Sequence, residues 1–147
     1  MMCSWKNSIC GLLLLVMGSA SGLANEIDAT TAHLLAQNGK LTIIDIRRPA
    51  EWRETGMPDT SVGISLQNFL KKIRKQFPND VFAALDGDQS RAVALICASG
   101  GRSAYAVGLL QEAGFVNVYD ISEGMRGNGQ APGWMARNLP IVSCDGC

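Results

Sequence analysis

Short apolar runs alternate with segments of helical spacing along most of this chain. Residues 26–38 carry apolar side chains at helical intervals, with Asp28 or Thr30 as the candidate N-cap and Gly39 as the stop. Residues 41–46 form a mostly apolar run of strand length, which is typical of a parallel strand covered on both faces. Similar patterns predict strands at 61–66, 91–96 and 115–119, and helices at 49–53, 69–77, 79–85 and from just after Cys97 to Gly114. This alternation predicts an α/β fold with helices on both faces of a parallel sheet.

A cysteine stands where the predicted central strand ends and a predicted helix begins. Cys97 directly follows the predicted strand 91–96, and small residues and one arginine come next: Ala98, Ser99, Gly100, Gly101, Arg102 and Ser103. Ligand sites in parallel sheets lie at the carboxyl ends of the strands. Asp45 falls near another such end, and Arg47 and Glu51 are close enough in sequence to form an ion pair. The functional site is therefore predicted at this edge of the sheet.

The loop after Cys97 can activate a thiol without a second side chain. If the loop curls around the sulfur, its backbone N–H groups converge on one point, and Gly100 and Gly101 permit the backbone angles that this requires. The N-terminus of the following helix adds its dipole, and Arg102 adds a full charge. Such a loop stabilises a thiolate, a persulfide or an oxyanion. The alternative is a buried cysteine before an ordinary strand-to-helix turn.

A neighbouring histidine is the usual activator of a nucleophilic thiol. The chain has one histidine, His33, in the first predicted helix, where we interpret it as a surface or half-buried residue. A Cys/His hydrolase and a metal site with histidine ligands are therefore poorly supported. We expect no metal and no cofactor.

Composition narrows the possible functions further. The 147 residues suit one domain, and 47% hydrophobic with 18% charged residues is ordinary for a globular protein. The formal net charge is zero, which leaves no electrostatic footprint for nucleic acid. The basic run at 71–75 is interpreted as the solvated face of an amphipathic helix. Trp134 is the predicted anchor of the Gly- and Pro-rich segment 123–140.

The first 24 residues have the pattern of a cleaved secretory signal. Lys6 supplies the positive charge, the run from Ile9 to Met17 is apolar, and Gly22 and Ala24 are the small residues of a cleavage site. We expect a cut after Ala24, with Ala20 as the alternative. The apolar run is short for a bilayer span, so no membrane attachment is expected after cleavage. The protein is therefore expected to be secreted, and periplasmic if bacterial, with a domain over 25–143.

Three cysteines remain once residues 1–24 are removed. Cys144 and Cys147 end the chain as a Cys-x-x-Cys tail over 144–147, and a local disulfide between them would leave Cys97 as the single thiol. Two thiolates cannot complete a tetrahedral zinc site within one chain. The alternative to the disulfide is a dithiol tail that resolves a persulfide on Cys97 or accepts its sulfur.

Four motifs in order resemble a single-domain rhodanese over about residues 26–142. They are Asp45-Ile46-Arg47 with Glu51-Trp52, the loop Cys97 to Ser103, Gly114-Phe115 with Val118-Tyr119, and Gly133-Trp134 with Leu139-Pro140. The resemblance implies a five-stranded parallel sheet flanked by helices, with Asp45, Arg47 and Glu51 as a structural signature. Two departures, Met57 in place of a common histidine and Glu123 in place of a common glycine, put the substrate range in question.

The same resemblance implies a sulfurtransferase. Cys97 would take sulfane sulfur from a donor such as thiosulfate, and pass it from a persulfide to a thiol or cyanide. The loop amides would cradle the outer sulfur, and Arg102 would bind the anionic donor. Cys97 and Arg102 are separated by four residues, whereas phosphatase and arsenate-reductase relatives have five in a wider loop. Such a phosphatase or reductase, or a non-catalytic rhodanese-like binding module, are the alternatives.

Overall fold

A computed structural model describes residues 25–147, so the predicted signal segment 1–24 lies outside the described residues. Its helices are α1 (Ala29–Gln37), α2 (Pro49–Thr55), α3 (Phe77–Ala84), α4 (Gly101–Glu112) and α5 (Gly133–Ala136). Its strands are β1 (Asn25–Glu26), β2 (Thr42–Asp45), β3 (Met57–Pro58), β4 (Ser61–Gly63), β5 (Val93–Ile96), β6 (Val118–Asp120) and β7 (Ile141–Val142).

Five strands form one parallel sheet in the order β1-β6-β5-β2-β4. The central strand, β5, pairs with β2 on one side and β6 on the other, so Ile96 lies beside Asp45 and Leu95 beside Asp120. The predicted α/β class and five-stranded parallel sheet are confirmed. A separate antiparallel pair joins β3 to β7; the sequence indicated only a turn at β3 and predicted no element at β7.

Helices cover both faces of the sheet, as predicted. Buried side chains of α3 and α4, such as Phe77 and Leu110, pack with Leu95 of β5 on one face. The opposite core contains Trp134, which is 0% exposed and serves as the predicted anchor, together with Ala94. Successive strand residues face opposite sides of a sheet, and Cys97 therefore lies on the same face as Leu95, beneath α4.

The first helix, α1, starts at Ala29, three residues later than predicted. Asp28 is the N-cap of α1, and its Oδ1 accepts a hydrogen bond of 3.0 Å from the Thr31 N–H. Glu26, which the pattern assigned to the helix, belongs instead to edge strand β1 and pairs with β6. Gly39 has φ +67°, the left-handed conformation expected of a glycine that stops a helix.

The helix predicted over 69–77 is wrong. The side chain of Asn68 accepts hydrogen bonds of 3.0 Å from the backbone N–H groups of Leu70 and Lys72, and Lys71 has φ +60°. An asparagine that satisfies nearby N–H groups in this way competes with helix formation. The basic run at 71–75 is therefore not a helix face. Pro78 lies in the first turn of α3, where its missing N–H is harmless, and so begins a helix rather than ending one.

Within residues 25–147, no helix is both long enough and apolar enough to cross a membrane.

Candidate active site

The thiol of Cys97 lies immediately after β5 and is held by the loop that follows. The residue is only 1% exposed. Its sulfur accepts a hydrogen bond from the Gly100 N–H at 3.1 Å, and the Ser103 hydroxyl lies 3.5 Å away on the other branch of the loop. The loop therefore curls around the sulfur, which is the condition under which its backbone N–H groups can converge there. The first N–H groups of α4 lack partners within the helix and add a positive field at this point.

Two glycines make this loop shape possible. Gly100 is the N-cap of α4 with φ +96°, and a Cβ there would lie 2.1 Å from the carbonyl oxygen of Ser122. Gly124 has φ +62°, and its Cβ would lie 2.5 Å from the carbonyl oxygen of Ala98. Gly101, which the sequence grouped with Gly100, starts the helix with open space around it and has no such requirement.

The segment 122–126 supports the loop from below. The carbonyl oxygens of Cys97 and Ala98 each accept a backbone hydrogen bond of 2.9 Å, from Met125 and Arg126 respectively. In a trans peptide the N–H points away from the carbonyl, so the N–H groups of Ala98 and Ser99 point to the other side. This support fixes the backbone donors of the loop before any ligand binds.

A buried ion pair fixes the connection between β2 and α2. Arg47 and Asp45 are 1% and 0% exposed, and Nη2 of Arg47 lies 2.6 Å from Oδ2 of Asp45. The same guanidinium donates to the Thr55 hydroxyl at 2.7 Å and to the Gly56 carbonyl at 2.8 Å. The ion pair predicted between Arg47 and Glu51 is wrong, because the closer Asp45 takes the guanidinium and Glu51 faces the other way.

Glu51 instead binds the arginine of the cysteine loop. Nη1 and Nη2 of Arg102 donate to its two carboxylate oxygens at 2.9 and 2.7 Å. The Arg48 N–H donates to Oε2 at 3.0 Å. Burial alone would raise the pKa of Glu51, but the hydrogen bonds from Arg102 and Arg48 and the charge of Arg102 lower it to about 2. The hydrogen bonds with Glu51 raise the pKa of Arg102 against the opposing effect of burial, and negative charge at Cys97 acts in the same direction as Glu51.

Ser103 lies beside the thiol, and Asp120 lies beside Leu95, two residues before Cys97. Ser103 is 0% exposed, so the structure places it next to the Cys97 sulfur rather than on an open donor-binding surface. Asp120 is 2% exposed, and its Oδ1 is buried without a hydrogen-bond partner. Sequence reasoning missed Asp120. The available signal was its position, because it ends β6 as Asp45 ends β2, at the edge of the sheet where sites form.

Glu123 joins the segment beneath the loop to both ends of the domain. Its buried carboxylate accepts hydrogen bonds from the Ala29 N–H at 2.7 Å, the Gly133 N–H at 2.8 Å and Nε of Arg137 at 2.8 Å. Burial alone would raise its pKa, but these hydrogen bonds and the Arg137 charge lower it. This carboxylate, which stands where the resemblance implies a glycine, is a structural anchor that the sequence did not reveal.

His33 takes no part in the loop. It is 5% exposed, which corrects the expectation of a surface or half-buried residue, because its ring packs edge-on against Trp134 at a centroid distance of 5.4 Å. Its Nδ1 lies 3.5 Å from Oδ1 of Asp59. Within the described part of the chain, no group of three or more potential metal ligands is present.

The tail is fastened to the far side of α2. Cys144 and Cys147 form a disulfide, which leaves Cys97 as the one unpaired cysteine among residues 25–147. The guanidinium of Arg53 donates to the Cys147 carbonyl. A cavity of about 980 Å³ also lies along α2; its lining includes Trp52 and Phe69 but no residue of the cysteine loop. The cavity contains no cysteine, so Cys97 and its loop remain the candidate site.

The geometry of the fold and loop agrees with sequence comparison. Residues 28–130 match the rhodanese-like domain family. The chain is 30% identical over 126 residues to a protein of Allochromatium vinosum named "Sulfurtransferase", covering 84% of this chain and all of the relative. It is 29% identical over 119 residues to "Uncharacterized protein RP600" of Rickettsia prowazekii, covering 80% of this chain and 97% of the relative.

A solved structure supports the same assignment. The polysulfide-sulfur transferase homodimer of Wolinella succinogenes superposes with a TM-score of 0.61 at 25% identity, covering 84% of this chain and 81% of the other. The chain belongs to the rhodanese-like domain family. Its relatives include proteins named as sulfur transferases, which places it in a family of sulfurtransferases.

Proposed function

We propose that this protein is a sulfurtransferase in which Cys97 carries sulfane sulfur as a persulfide. The observation that carries the proposal is the Cys97 sulfur, which accepts the Gly100 N–H at 3.1 Å inside a loop closed by Arg102. Backbone donors and a helix N-terminus stabilise negative charge on sulfur, which a thiol needs in order to act as a nucleophile. The sulfurtransferase names among its relatives support this chemistry.

Loading starts from an anionic donor such as thiosulfate. The Cys97 thiolate attacks the outer sulfur of the donor, a new S–S bond forms on Cys97, and the S–S bond of thiosulfate breaks. Sulfite leaves with the electron pair of that bond. The loop amides of residues 98–101 cradle the transferred sulfur, and Arg102 attracts the donor anion. The Arg102 side chain is 24% exposed, so its guanidinium can contact an anion from solvent.

In the unloading step, Cys97 is the leaving group rather than the nucleophile. A thiolate or cyanide attacks the outer sulfur of the persulfide, and the bond between the two sulfurs of the persulfide breaks. Cys97 recovers the electron pair as a thiolate. The same amides that held the outer sulfur then stabilise the charge on Cys97.

A mass measurement tests the proposal. After incubation of the protein with thiosulfate, the Cys97 peptide is expected to gain the mass of one sulfur and to lose it again on addition of cyanide. Cys97→Ser is expected to abolish the gain, and the matched control, Cys144→Ser with Cys147→Ser, is expected to retain it. A gain on another residue would contradict the role of Cys97, and no gain at all would favour a non-catalytic binding module.

Phosphatase or arsenate-reductase chemistry is the competing function. The loop places four residues between Cys97 and Arg102, and the Gly100 N–H already contacts the sulfur, which favours one sulfur atom over a tetrahedral oxyanion. Hydrolysis of an aryl phosphate, or reduction of arsenate, that depends on Cys97 would replace sulfur transfer as the function.

We further propose that residues 1–24 direct export and are removed. The sequence pattern described above supports this, with a periplasmic destination in a bacterium. N-terminal sequencing of the processed protein is expected to begin at Asn25. A retained N-terminus in the cell fraction that contains cytoplasmic proteins would overturn the proposal.

A further inference from the structure

A groove follows the free edge of the parallel sheet. Strand β4 is the last strand in the sheet order, and among the described residues it pairs only with β2. The cavity of about 980 Å³ beside α2 is lined by residues of α2, of β4, of the loop that follows β4 and of α3. We call this cavity the β4 groove. It occupies the place where a further strand would continue the sheet.

The two helices that line the β4 groove lie on opposite faces of the sheet. Ile64, directly after β4, packs against the core that contains Phe77 of α3. A Cβ at Gly63 would instead lie 3.0 Å from the Trp52 ring of α2. Successive residues of a strand face opposite sides, so each face of β4 is covered by a different helix. The groove therefore has a helix on each side and the backbone of β4 at its base.

The base of the β4 groove offers backbone hydrogen-bonding groups to a ligand. The Ile64 N–H donates to the Asp45 carbonyl of β2 at 3.1 Å. In a parallel pair, alternate residues bond to the neighbouring strand, so the N–H and C=O of Gly63 point away from β2 and towards the groove that Gly63 lines. Gly63 has no side chain to obstruct an approaching backbone. Such an edge accepts an extended peptide as an added strand.

The walls of the β4 groove favour apolar side chains in its occupant. Trp52 and Ala83 line the two sides, and Phe69 and Val62 lie between them. Phe69 is 86% exposed and Val62 is 44% exposed. Large apolar side chains that are exposed next to one another mark a binding surface. The volume is sufficient for more than one side chain of a bound peptide.

The rim of the β4 groove is cationic. Arg48, Arg53 and Arg74 line it, together with one acid, Asp80. Asp80 binds Arg74 at 2.6 Å, so this pair is neutral. Arg53 donates to the carbonyl of the chain's last residue, which carries no charge, and its own charge is retained. The groove therefore presents an excess of positive charge to a ligand.

The basic run at 71–75 adds to this excess. Lys71 and Lys72 are exposed, and in sequence they lie between Phe69 and Arg74, which both line the groove. No aspartate or glutamate occurs between residues 60 and 79. Pairing of β4 with β4 of a second copy across a two-fold axis would bring these cations against the same cations. Charge therefore favours an acidic occupant over a second copy of the chain.

We propose that the β4 groove is a docking site for an extended acidic segment of a partner protein. The segment adds to the sheet as a strand beside β4, and its apolar side chains enter the groove between α2 and α3. Its aspartates and glutamates meet Arg48 and Arg53. This inference goes beyond sulfur transfer and does not depend on it. The Arg48 N–H also donates to Glu51 at 3.0 Å, so a docked partner lies beside the carboxylate that binds Arg102.

Peptide selection tests the docking site. A library of random peptides displayed on phage is panned against the protein, and the most enriched peptide is synthesised and titrated by fluorescence anisotropy. The enriched sequences are expected to carry apolar residues flanked by aspartate and glutamate. Arg53→Glu is expected to weaken binding by about tenfold or more, because like charges then face each other. The matched control is Arg91→Glu, which makes the same charge change outside the groove and should leave the affinity unchanged.

Methylation of the peptide backbone tests the added strand. N-methyl groups at positions whose N–H bonds to β4 should abolish binding, and those at the intervening positions should be tolerated, because their N–H groups face away from β4. Equal effects at both sets of positions would overturn strand addition. Failure to enrich acidic peptides, or an affinity that Arg53→Glu does not change, would overturn the docking site. A stable dimer in sedimentation that excludes the peptide would assign the groove to a second copy instead.

Discussion

Glu51 and Arg102, which are 51 positions apart in the chain, form two parallel hydrogen bonds at the entrance to the cysteine loop. The carboxylate comes from α2, whose connection to β2 is fixed by the buried pair of Asp45 and Arg47. The position of Arg102, the one arginine in the loop, is therefore set by α2, a helix that follows β2 rather than β5. A guanidinium held at two points keeps its plane fixed, and an ammonium group cannot reproduce this.

Arg102→Lys is expected to weaken loading by thiosulfate although the charge is retained. A lysine cannot donate to both oxygens of Glu51, so the charge loses its fixed position. We expect the apparent KM for thiosulfate to rise about tenfold, equivalent to about 1.4 kcal/mol, with a smaller change in kcat. Steady-state kinetics with cyanide as acceptor measures this, and an unchanged KM would show that donor binding does not need the fixed position of the guanidinium.

The pair with Glu51 should give a pH-dependent contribution to stability. The pKa of Glu51 is lowered from 4.5 to about 2, so the folded state favours the ionised form. This contribution is present above pH 4.5 and is lost as the pH falls towards 2. Glu51→Gln is expected to lower the free energy of unfolding at pH 7 by about 2 kcal/mol. Denaturant titrations should show that the difference from the wild type shrinks between pH 4.5 and 2, and a constant difference would argue against the pair.

Gly100→Ala should damage the loop, whereas Gly108→Ala should not. At Gly100 a Cβ would lie 2.1 Å from the Ser122 carbonyl oxygen at φ +96°, and at Gly108, inside α4, a Cβ would meet nothing within 4 Å. We expect a loss of about 3 kcal/mol and slower loading for the first variant. The second should gain about 0.5–1 kcal/mol, because alanine favours a helix over glycine. Thermal unfolding and persulfide mass measure both effects.

Glu123→Ala should loosen the support of the loop from a distance. The substitution leaves the N–H groups of Ala29 and Gly133 without their acceptor and Arg137 without its partner. We expect a loss of about 3 kcal/mol in the free energy of unfolding. Arg137→Ala, which removes only the partner whose side chain is 29% exposed, is the control and should cost less. Equal losses in the two variants would place the stabilisation in the ion pair rather than in the backbone contacts.

Truncation after Ser143 should leave sulfur transfer to a small dithiol unchanged. The tail cysteines are bonded to each other, and the Cys147 carbonyl contacts Arg53 on α2 rather than the cysteine loop. A disulfide that closes so short a loop also contributes little to global stability. Turnover with a dithiol acceptor measures the effect. A marked slowing would assign the tail to the removal of sulfur from Cys97.

Local pattern predicted the sheet and the location of the thiol. The buried runs that became β2 and β5 were evident, and a small-residue loop before α4 identified Cys97, because these features depend on neighbours in sequence. Segment 69–77 was misassigned, since its helical spacing did not reveal that Asn68 satisfies the local N–H groups.

Contacts between distant segments could not be predicted from the sequence patterns. The partner of Glu51 depends on how α2 packs against α4, and spacing alone favoured the nearer Arg47. The position of Asp120 beside Leu95 depends on the register of β6 with β5. Such assignments need the tertiary arrangement, because one-dimensional patterns give no register between strands.

The support of the cysteine loop by residues 122–126 has a consequence for synthesis. A ribosome releases Cys97 well before the segment that shapes its loop, and that segment is itself anchored through Glu123 to Arg137. The loop around Cys97 therefore cannot form in the nascent chain until nearly the whole domain has emerged. Formation of the Cys97 loop is thereby coupled to completion of the polypeptide, so that truncated products lack the backbone contacts that shape it.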